Sequence, residues 1–331
     1  MKALVYTGAR DLDIREVPDP VPAAEEVLLR VEAVGICGSD MHAWAGHDER
    51  RPAPLILGHE AAGTVLDGPM AGQRVTVNPL VTCGRCQACL AGRDNLCASR
   101  QIISMPPRDG AFAEKLAMPF RNLVAVPDGV SLETASLAEP LACGWHAVRL
   151  ARQALDMPLS SARCLVFGGG AIGLGVALIL KSLGAAEIGL GEPSNARRQV
   201  AALQGGLHVF DPQSDETPAS VDLVIDGVGF GATRAAGSAA LRPGGVFMHI
   251  GLGDASPGFD IRRATLQELT FIGTYTYTAQ DFRHTATAIF EGRLGRLDWR
   301  EDLPLDKGPE TFHRIAAGAV TAPKVTLLPF A

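Results

Sequence analysis

Residues 164–173, Cys-Leu-Val-Phe-Gly-Gly-Gly-Ala-Ile-Gly, decide the fold of the second half of this chain. The short apolar run Cys164–Phe167 predicts a buried strand, and the longer apolar run Leu174–Leu183 predicts a helix. The segment between them has the spacing G-x-G-x-x-G. That spacing alone is a weak signal, but between a strand and a helix it indicates a dinucleotide-binding turn.

The residues of this turn have separate expected roles. Gly168 permits a tight turn, Gly170 lets the backbone approach a pyrophosphate, and Gly173 lets the helix pack closely on the strand. Together with Ile172 they are the candidate cofactor-binding residues. The N-terminus of the following helix is expected to face the phosphate charge.

The next predicted strand, Glu187–Gly191, ends at an acidic residue, Glu192. A carboxylate there can accept hydrogen bonds from the ribose hydroxyl groups and repels a 2′-phosphate, which predicts NAD rather than NADP. Arg197 and Arg198 argue against this preference, because a nearby guanidinium can neutralise that phosphate. We favour a solvated helix face for both arginines, and Arg197 is kept as a candidate cofactor-binding residue.

Alternating strands and helices continue beyond this unit and predict a doubly wound parallel sheet. A helix is expected over Ala232–Leu241. The expected strands are Leu207–Phe210, Asp222–Ile225, Val246–Ile250 and Leu269–Tyr277.

The first part of the chain, up to about Val126, carries short β-rich runs separated by Gly and Pro, which predicts a mostly antiparallel β domain. A longer helix is predicted over Leu132–Leu150. Near the other end, helix Pro309–Gly318 and strand Lys324–Leu328 are expected to return to this first domain.

Residues 35–42, Gly-Ile-Cys-Gly-Ser-Asp-Met-His, place a thiol, a hydroxyl, a carboxylate and an imidazole close together. Cys37 and, further on, His59 are ligand types that zinc prefers. Glu139 offers a carboxylate from a third segment. A Cys, a His and a carboxylate form an open site whose fourth position is left for water or substrate, which predicts a catalytic zinc.

Four of the seven cysteines are clustered with the spacing C-x2-C-x2-C-x7-C. The segment is too polar and too short to fold on apolar contacts alone, so a closed four-cysteine zinc site is the favoured interpretation. A disulfide pair or free thiols are the alternatives. The residues concerned are Cys83, Cys86, Cys89 and Cys97.

As a set, these motifs resemble the zinc-dependent medium-chain alcohol dehydrogenases. The matching residues are Gly-Ile-Cys-Gly-Ser-Asp-x-His, Gly-His-Glu-x-x-Gly from Gly58, and Glu-Pro-Leu from Glu139. Glu139, where other branches have Cys, resembles the sorbitol/polyol dehydrogenase branch. The resemblance extends over essentially the whole chain, and it implies that the four-cysteine site is structural.

The resemblance implies a fold of two parts, α/β plus β. A GroES-like β-rich catalytic domain is expected at residues 1–141 and 279–331, with the four-cysteine lobe at 83–97. A Rossmann dinucleotide-binding domain is expected at residues 142–278. The active site is expected in the cleft between the two domains.

The resemblance also implies roles for residues near the metal. Ser39 and His42 are the expected proton relay, which runs through the ribose of the cofactor in the family's scheme; the alternatives are a turn residue and a surface histidine. Asp40 is expected to orient the His59 ligand. Glu60 is a candidate catalytic residue, and it is left open whether Glu60 or Glu139 binds the metal at rest.

Two positions depart from the polyol branch. That branch carries a Tyr-Trp pair where this chain has Ala43-Trp44, and an Arg where it has Thr276. The zinc chemistry is therefore expected to be intact and the polyol pocket to be altered. Three hypotheses follow: NAD-dependent oxidation of a polyol, sugar alcohol or sugar acid; the same machinery on a simple alcohol, aldehyde or ketone; and, least favoured, a non-catalytic nucleotide-binding protein.

The length, charge and apolar runs of the chain limit the classes of partner that it is expected to bind. A length of 331 residues predicts two domains, and a net charge of −6 without long basic runs argues against nucleic acid. No apolar run is long enough for a signal peptide or a membrane span, so a cytoplasmic location is expected. Two zinc ions per chain, NAD and a small-molecule alcohol or carbonyl substrate are predicted. The resemblance implies a homodimer or homotetramer, with residues 269–277 as a candidate contact across a two-fold axis.

Overall fold

The computed structural model describes residues 1–331 and divides into two compact units. The first unit comprises Met1–Glu139, Thr278–Glu291 and Leu297–Ala331, and the second comprises Pro140–Tyr277 and Gly292–Arg296. The chain near Cys37 and the chain after Asp281 thus lie in the same unit. The short segment Gly292–Arg296 lies with the second unit, although the sequence placed it in the first domain.

Eighteen strands are present. They are β1 Lys2–Gly8, β2 Asp11–Glu16, β3 Glu26–Gly35, β4 Leu55–Ile56, β5 Glu60–Val65, β6 Arg74–Val77, β7 Leu80–Val81, β8 Gln101–Ile102, β9 Lys115–Pro119, β10 Leu123–Ala125, β11 Arg163–Phe167, β12 Glu187–Gly191, β13 His208–Phe210, β14 Val221–Asp226, β15 Leu241–His249, β16 Thr270–Gly273, β17 Arg300–Pro304 and β18 Lys324–Leu328.

Ten α-helices accompany them. They are α1 Gly38–Trp44, α2 Gln87–Leu90, α3 Leu132–Ser136, α4 Ala138–Ala154, α5 Ala171–Ser182, α6 Asn195–Ala202, α7 Gly231–Ala240, α8 Ile261–Gln267, α9 Ala279–Phe290 and α10 Gly308–Ala316. None of the helices combines the length and the apolar character that crossing a bilayer requires.

The first unit is built on a seven-stranded sheet. Its order is β10-β6-β5-β3-β18-β17, and β9 also pairs with β3. Strand β18 is antiparallel to β3 and parallel to β17, so the last strand of the chain lies inside the sheet. Buried side chains such as Leu29, Phe112 and Phe312 fill the core of this unit. Three-stranded and two-stranded sheets, β2-β1-β4 and β7-β8, complete it.

The second unit contains a six-stranded parallel sheet in the order β13-β12-β11-β14-β15-β16. The first strand lies in the middle and the order reverses there, as in a doubly wound fold. Leu165, Phe167, Val224 and Phe247 form its core, because strands covered on both faces are apolar throughout. The predicted fold class, α/β plus β, is confirmed.

Two predicted elements differ in the structure. The single helix expected over residues 132–150 is two helices, α3 and α4, with Leu137 between them. Pro140 lies in the first turn of α4, where a missing backbone N–H removes no helical hydrogen bond. The expected strand over residues 269–277 is the shorter β16, and Thr276 has a positive φ of 47°, which no strand accommodates.

Candidate functional site

The end of β3 and the start of β5 bring three potential metal ligands together. Gly35 is paired with Glu60 across these antiparallel strands, and Cys37, two residues after the end of β3, is the N-cap of α1. His59 precedes β5 by one residue. One ligand atom from each of Cys37, His59 and Glu60 lies within 4.8 Å of the others. The first unit therefore gathers a thiol, an imidazole and a carboxylate.

Glu139 is not a member of this group. It is buried in the first turn of α4, where the sequence placed it at the start of a helix. Its charge acts on Lys324, which is in contact with Glu60. The structure thus sets Glu60 beside Cys37 and His59, with Glu139 as a further carboxylate in the surroundings of Lys324.

Asp40 fixes the backbone around this group. Its side chain is fully buried and accepts hydrogen bonds from the backbone N–H of Cys37 at 3.0 Å and of Gly58 at 3.3 Å. Its Oδ1 lies 3.4 Å from Nδ1 of His59. Burial disfavours the ionised form, but His59, Arg51 and the Cys37 N–H outweigh it and lower the pKa of Asp40 to about 2. Asp40 is therefore an anion.

The group fits a zinc ion on the chemistry of its donors. Cysteine, histidine and carboxylate are the ligand types of catalytic zinc sites. Moreover, Oε2 of Glu60 is buried without any hydrogen-bond partner. An unpaired carboxylate oxygen in the interior is costly, and a bound cation would remove that cost.

Ser39 and His42 lie three residues apart on α1, on one side of the helix. Ser39 is half-buried, and its backbone carbonyl accepts a hydrogen bond from Nη1 of Arg51 at 2.7 Å. His42 is exposed in the last turn of the helix. The pair therefore extends from the neighbourhood of Cys37 towards solvent.

The four clustered cysteines converge around α2. The sulfur atoms of Cys86 and Cys89 are 3.5 Å apart, and those of Cys83 and Cys89 are 4.0 Å apart. Four sulfurs that each lie 2.3 Å from a central zinc are separated by about 3.8 Å, so the arrangement fits a tetrahedral site. None of the four forms a disulfide, and Cys97 is buried.

Backbone N–H groups stabilise thiolates in this cluster. The N–H of Arg85, and then that of Cys86, lower the pKa of Cys83 to about 6. Burial instead raises the pKa of Cys89 to about 12. A thiolate is the form that binds a metal. The backbone N–H groups therefore favour the thiolate of Cys83, whereas the thiol of Cys89 loses its proton only when a metal ion binds.

The glycine-rich turn joins β11 to α5 in the second unit. Gly168 has a φ of +103°, a conformation that favours glycine, and Gly170 is the N-cap of α5. A Cβ atom on Gly173 would overlap the carbonyl oxygen of Gly168, whereas one on Gly170 would meet no atom within 4 Å. Ile172 is half-buried in the first turn of the helix. This is the local geometry expected of a dinucleotide-binding turn.

Glu192 follows β12 and is tied to the same turn. Its Oε2 accepts a hydrogen bond from the Gly169 N–H at 2.6 Å, and its Oε1 accepts one from the Ser194 N–H at 2.8 Å. Arg198 forms an ion pair with Asp211 at 3.0 Å and is half-buried, so it is not part of a fully solvated helix face. Arg197 is half-buried in the first turns of α6.

The sequence analysis missed two residues beside the metal group, Lys324 and Arg51. Both are buried cations. A lysine that opens the apolar strand β18 is unusual and was a usable signal. Nothing in the sequence, however, indicated that Lys324 meets Glu60, which is 264 positions away.

Family models and known proteins match most of the chain. The alcohol dehydrogenase GroES-like domain matches residues 23–128, and the zinc-binding dehydrogenase domain matches residues 171–291. The chain is 32% identical to L-galactonate-5-dehydrogenase of Escherichia coli over 309 residues, which cover 89% of this chain and 88% of that protein. It is 34% identical to sorbitol dehydrogenase of Bacillus subtilis over 270 residues, covering 76% and 75%.

Among solved structures, L-idonate 5-dehydrogenase of Escherichia coli superimposes with a TM-score of 0.88 at 25% identity. The superposition covers 99% of this chain and 97% of that one. The likeness therefore spans both units.

Proposed function

Because this chain belongs to the zinc-dependent medium-chain alcohol dehydrogenase family, we propose that it oxidises a secondary alcohol with NAD⁺ or catalyses the reverse reduction. The substrate class we propose is a polyol, a sugar alcohol or a sugar acid, the chemistry named for its relatives. The observation that carries the proposal is the group of Cys37, His59 and Glu60, with one carboxylate oxygen left unpaired.

We assign Cys37 and His59 as ligands of the catalytic zinc, with Glu139 or Glu60 as the third. A zinc ion held there supplies Lewis acidity, which favours loss of the hydroxyl proton of an alcohol. Ser39 would receive that proton while releasing its own hydroxyl proton, and the exposed His42 on the same side of α1 is the expected end of this relay. Asp40 keeps His59 oriented through its buried carboxylate.

The turn that contains Gly168, Gly170, Ile172 and Gly173 binds the pyrophosphate of NAD at the N-terminus of α5. Glu192 and Arg197 contact the adenosine side of the cofactor. The four cysteines, Cys83 to Cys97, hold the second zinc and order their own segment.

A second candidate activity, on a simpler alcohol or a ketone, is favoured by the environment of Trp44. This side chain is 3% exposed and packs against Phe312 and His313 in the core of the first unit. Ala43, equally buried, offers no hydroxyl group. Thr276 likewise lacks the guanidinium that the polyol branch uses. These three positions therefore provide fewer polar groups for a polyhydroxyl substrate than the matching positions of the polyol branch.

We further propose that the protein is a homodimer or a homotetramer and that it acts in the cytoplasm. Strand β16 forms one edge of the parallel sheet, and Phe271 on it is 46% exposed. An exposed apolar edge strand is suited to pairing with a second copy. The free cysteine cluster suits a reducing compartment.

The test is an NADH absorbance assay of the zinc-loaded protein across a panel of polyols, sugar acids, simple secondary alcohols and ketones. We expect turnover with polyhydroxyl substrates and NAD⁺, and its loss in Cys37→Ser. Turnover confined to simple alcohols or ketones would establish the second candidate instead. No turnover with any member, despite a full complement of zinc and bound NAD⁺, would overturn both.

A further inference from the structure

Lys324 is a buried cation beside the metal group. It opens β18, its side chain is 4% exposed, and Nζ donates hydrogen bonds to Oε1 of Glu60 at 2.6 Å and to the carbonyl of Ile36 at 2.9 Å. The Glu60 side chain is 1% exposed, so the two groups form a buried ion pair at this position.

The two oxygens of Glu60 have different surroundings. Oε1 is held by Lys324, whereas Oε2 is buried without a hydrogen-bond partner. One carboxylate oxygen of Glu60 lies within 4.8 Å of ligand atoms of Cys37 and His59, and Oε2 is the one that is free to bind an ion. The carboxylate lies against Gly35, its partner across β3 and β5, and a Cβ atom at position 35 would overlap Oε2. Gly35 has no positive φ, so its backbone does not require glycine. The requirement is for space.

The charges around the site also need Lys324. The buried Asp40 anion is matched by the buried Arg51 cation. A Cys37 thiolate, Glu60 and Glu139 then carry one more negative charge than a divalent zinc ion neutralises, because a ligating histidine is neutral. Lys324 supplies the missing positive charge. In a buried site an uncompensated charge is strongly unfavourable.

We propose that Lys324 and Gly35 form a clamp that presents Glu60 to the metal through Oε2 alone. The clamp rests on the proposed function of this site as a zinc centre. If Oε1 is released, Glu60 can offer both oxygens and occupy positions that an open catalytic site keeps for its substrate. Lys324 is thus a positioning residue that acts through Glu60, and it keeps the site open.

The test reads the metal directly. Full-length protein is loaded with Co²⁺ in place of zinc, and the visible absorption is recorded, since four-coordinate Co²⁺ absorbs more strongly than five- or six-coordinate Co²⁺. The spectrum of Cys37→Ala supplies the contribution of the four-cysteine site for subtraction. Loss of metal to a chelator is timed in parallel.

In Lys324→Met we expect weaker absorption, from a higher coordination number, and slower metal loss than in the wild type, because the freed carboxylate oxygen also binds the ion. Lys324→Arg keeps the charge and should retain the wild-type spectrum. Gly35→Ala leaves all charges in place but displaces Oε2, so it should speed metal loss. The double variant Lys324→Met/Glu60→Gln should return to the spectrum of Glu60→Gln.

A wild-type spectrum and a wild-type rate of metal loss in Lys324→Met would overturn the clamp, even if its melting temperature fell. Should Lys324→Met fail to fold, unchanged metal loss in Gly35→Ala would overturn it as well. If the wild-type protein itself showed no absorption that depends on Cys37, the proposed zinc function would be wrong, which is a separate and distinguishable result.

Discussion

Oε2 of Glu192 accepts a hydrogen bond from the backbone N–H of Gly169 at 2.6 Å, so the acid after β12 is joined to the glycine-rich turn after β11. The same carboxylate holds the Ser194 N–H through Oε1. Each oxygen retains a second lone pair, which a ribose hydroxyl can use. One side chain can thus shape the turn and select the cofactor.

We predict that the wild-type enzyme prefers NAD⁺ and that Glu192→Ala loses much of this preference. The carboxylate repels a 2′-phosphate, and hydrogen bonds to a charged group contribute about 1.5–3 kcal/mol. The ratio of kcat/KM for NAD⁺ to that for NADP⁺ should therefore fall by about tenfold or more. Glu192→Gln, which keeps the shape without the charge, is the control. A wild-type preference for NADP⁺ would mean that Arg197 or Arg198 dominates this pocket.

The two zinc sites should respond differently to loss of a ligand. Cys37→Ala should lose one zinc ion and keep its fold, because its neighbours are held by β3 and β5. Cys89→Ala should lose the other and melt at a lower temperature, since a closed four-cysteine site contributes folding energy directly. Elemental analysis and thermal unfolding measure both. Equal behaviour of the two variants would contradict this division of roles.

Asp94, between the third and fourth cysteines of the cluster, should stabilise a helix outside it. Its Oδ2 accepts a hydrogen bond from the Ala279 N–H at 3.0 Å, at the start of α9. We expect Asp94→Ala to lower the free energy of unfolding by about 0.5–2 kcal/mol, as for loss of a helix cap. Asp94→Asn, which keeps an acceptor oxygen, should be less affected. If Asp94→Ala unfolded in urea with the same free energy as the wild type, Asp94 would not stabilise the start of α9.

Stability should depend on pH through His249. Burial, with a contribution from Arg234, lowers the pKa of His249 below 6.5, although Asp226 opposes this shift. The unfolded chain then binds more protons than the folded one between the two pKa values. The contribution of His249 to the free energy of unfolding is therefore fully present above about pH 6.5. It is lost as the pH falls towards the pKa of His249 in the folded protein.

His249→Gln should remove this part of the pH dependence, measured as urea unfolding at a series of pH values. His208→Gln is the matched control, because His208 also stacks on a phenylalanine of its own strand but is exposed. An identical loss of pH dependence in both variants would show that His249 is not responsible.

The oligomer can be tested at the edge strand. We expect the wild-type protein to scatter light as a dimer or a tetramer at micromolar concentration. Phe271→Lys places a charge on β16 and should shift the protein towards smaller species. A wild-type monomer would contradict the proposal. Near-ultraviolet circular dichroism of the variant checks that the neighbouring contact between Phe247 and Phe259 is kept.

The dinucleotide turn and its flanking elements could be predicted from the sequence because they are local. A buried strand, three spaced glycines and an apolar helix lie within about twenty consecutive residues, and each is determined by its neighbours. The helix break at Leu137 and the early end of β16 were not visible in the apolar pattern of the sequence. These are the boundaries that periodicity defines least well.

The metal group was predictable only in part. Cys37 and His59 stand in recognisable motifs, and the structure brings them together. The contact between Glu60 and Lys324 is set by the pairing of β5, β3 and β18, whose order in the sheet no local pattern encodes. Arg51 escaped notice for a similar reason, because its partners are the backbone carbonyl of Ser39 and the buried Asp40.

The position of β18 has a consequence for how the molecule is made. Residues 140–277 form nearly all of the second unit and leave the ribosome together, so that unit can fold while synthesis continues. The first unit must wait, because its sheet has a gap between β3 and β17 until residues 324–328 emerge. A nascent chain stalled before residue 324 should therefore carry a folded nucleotide-binding unit. Its β unit should still have unpaired strand edges that chaperones can bind, and it should not hold the catalytic zinc firmly.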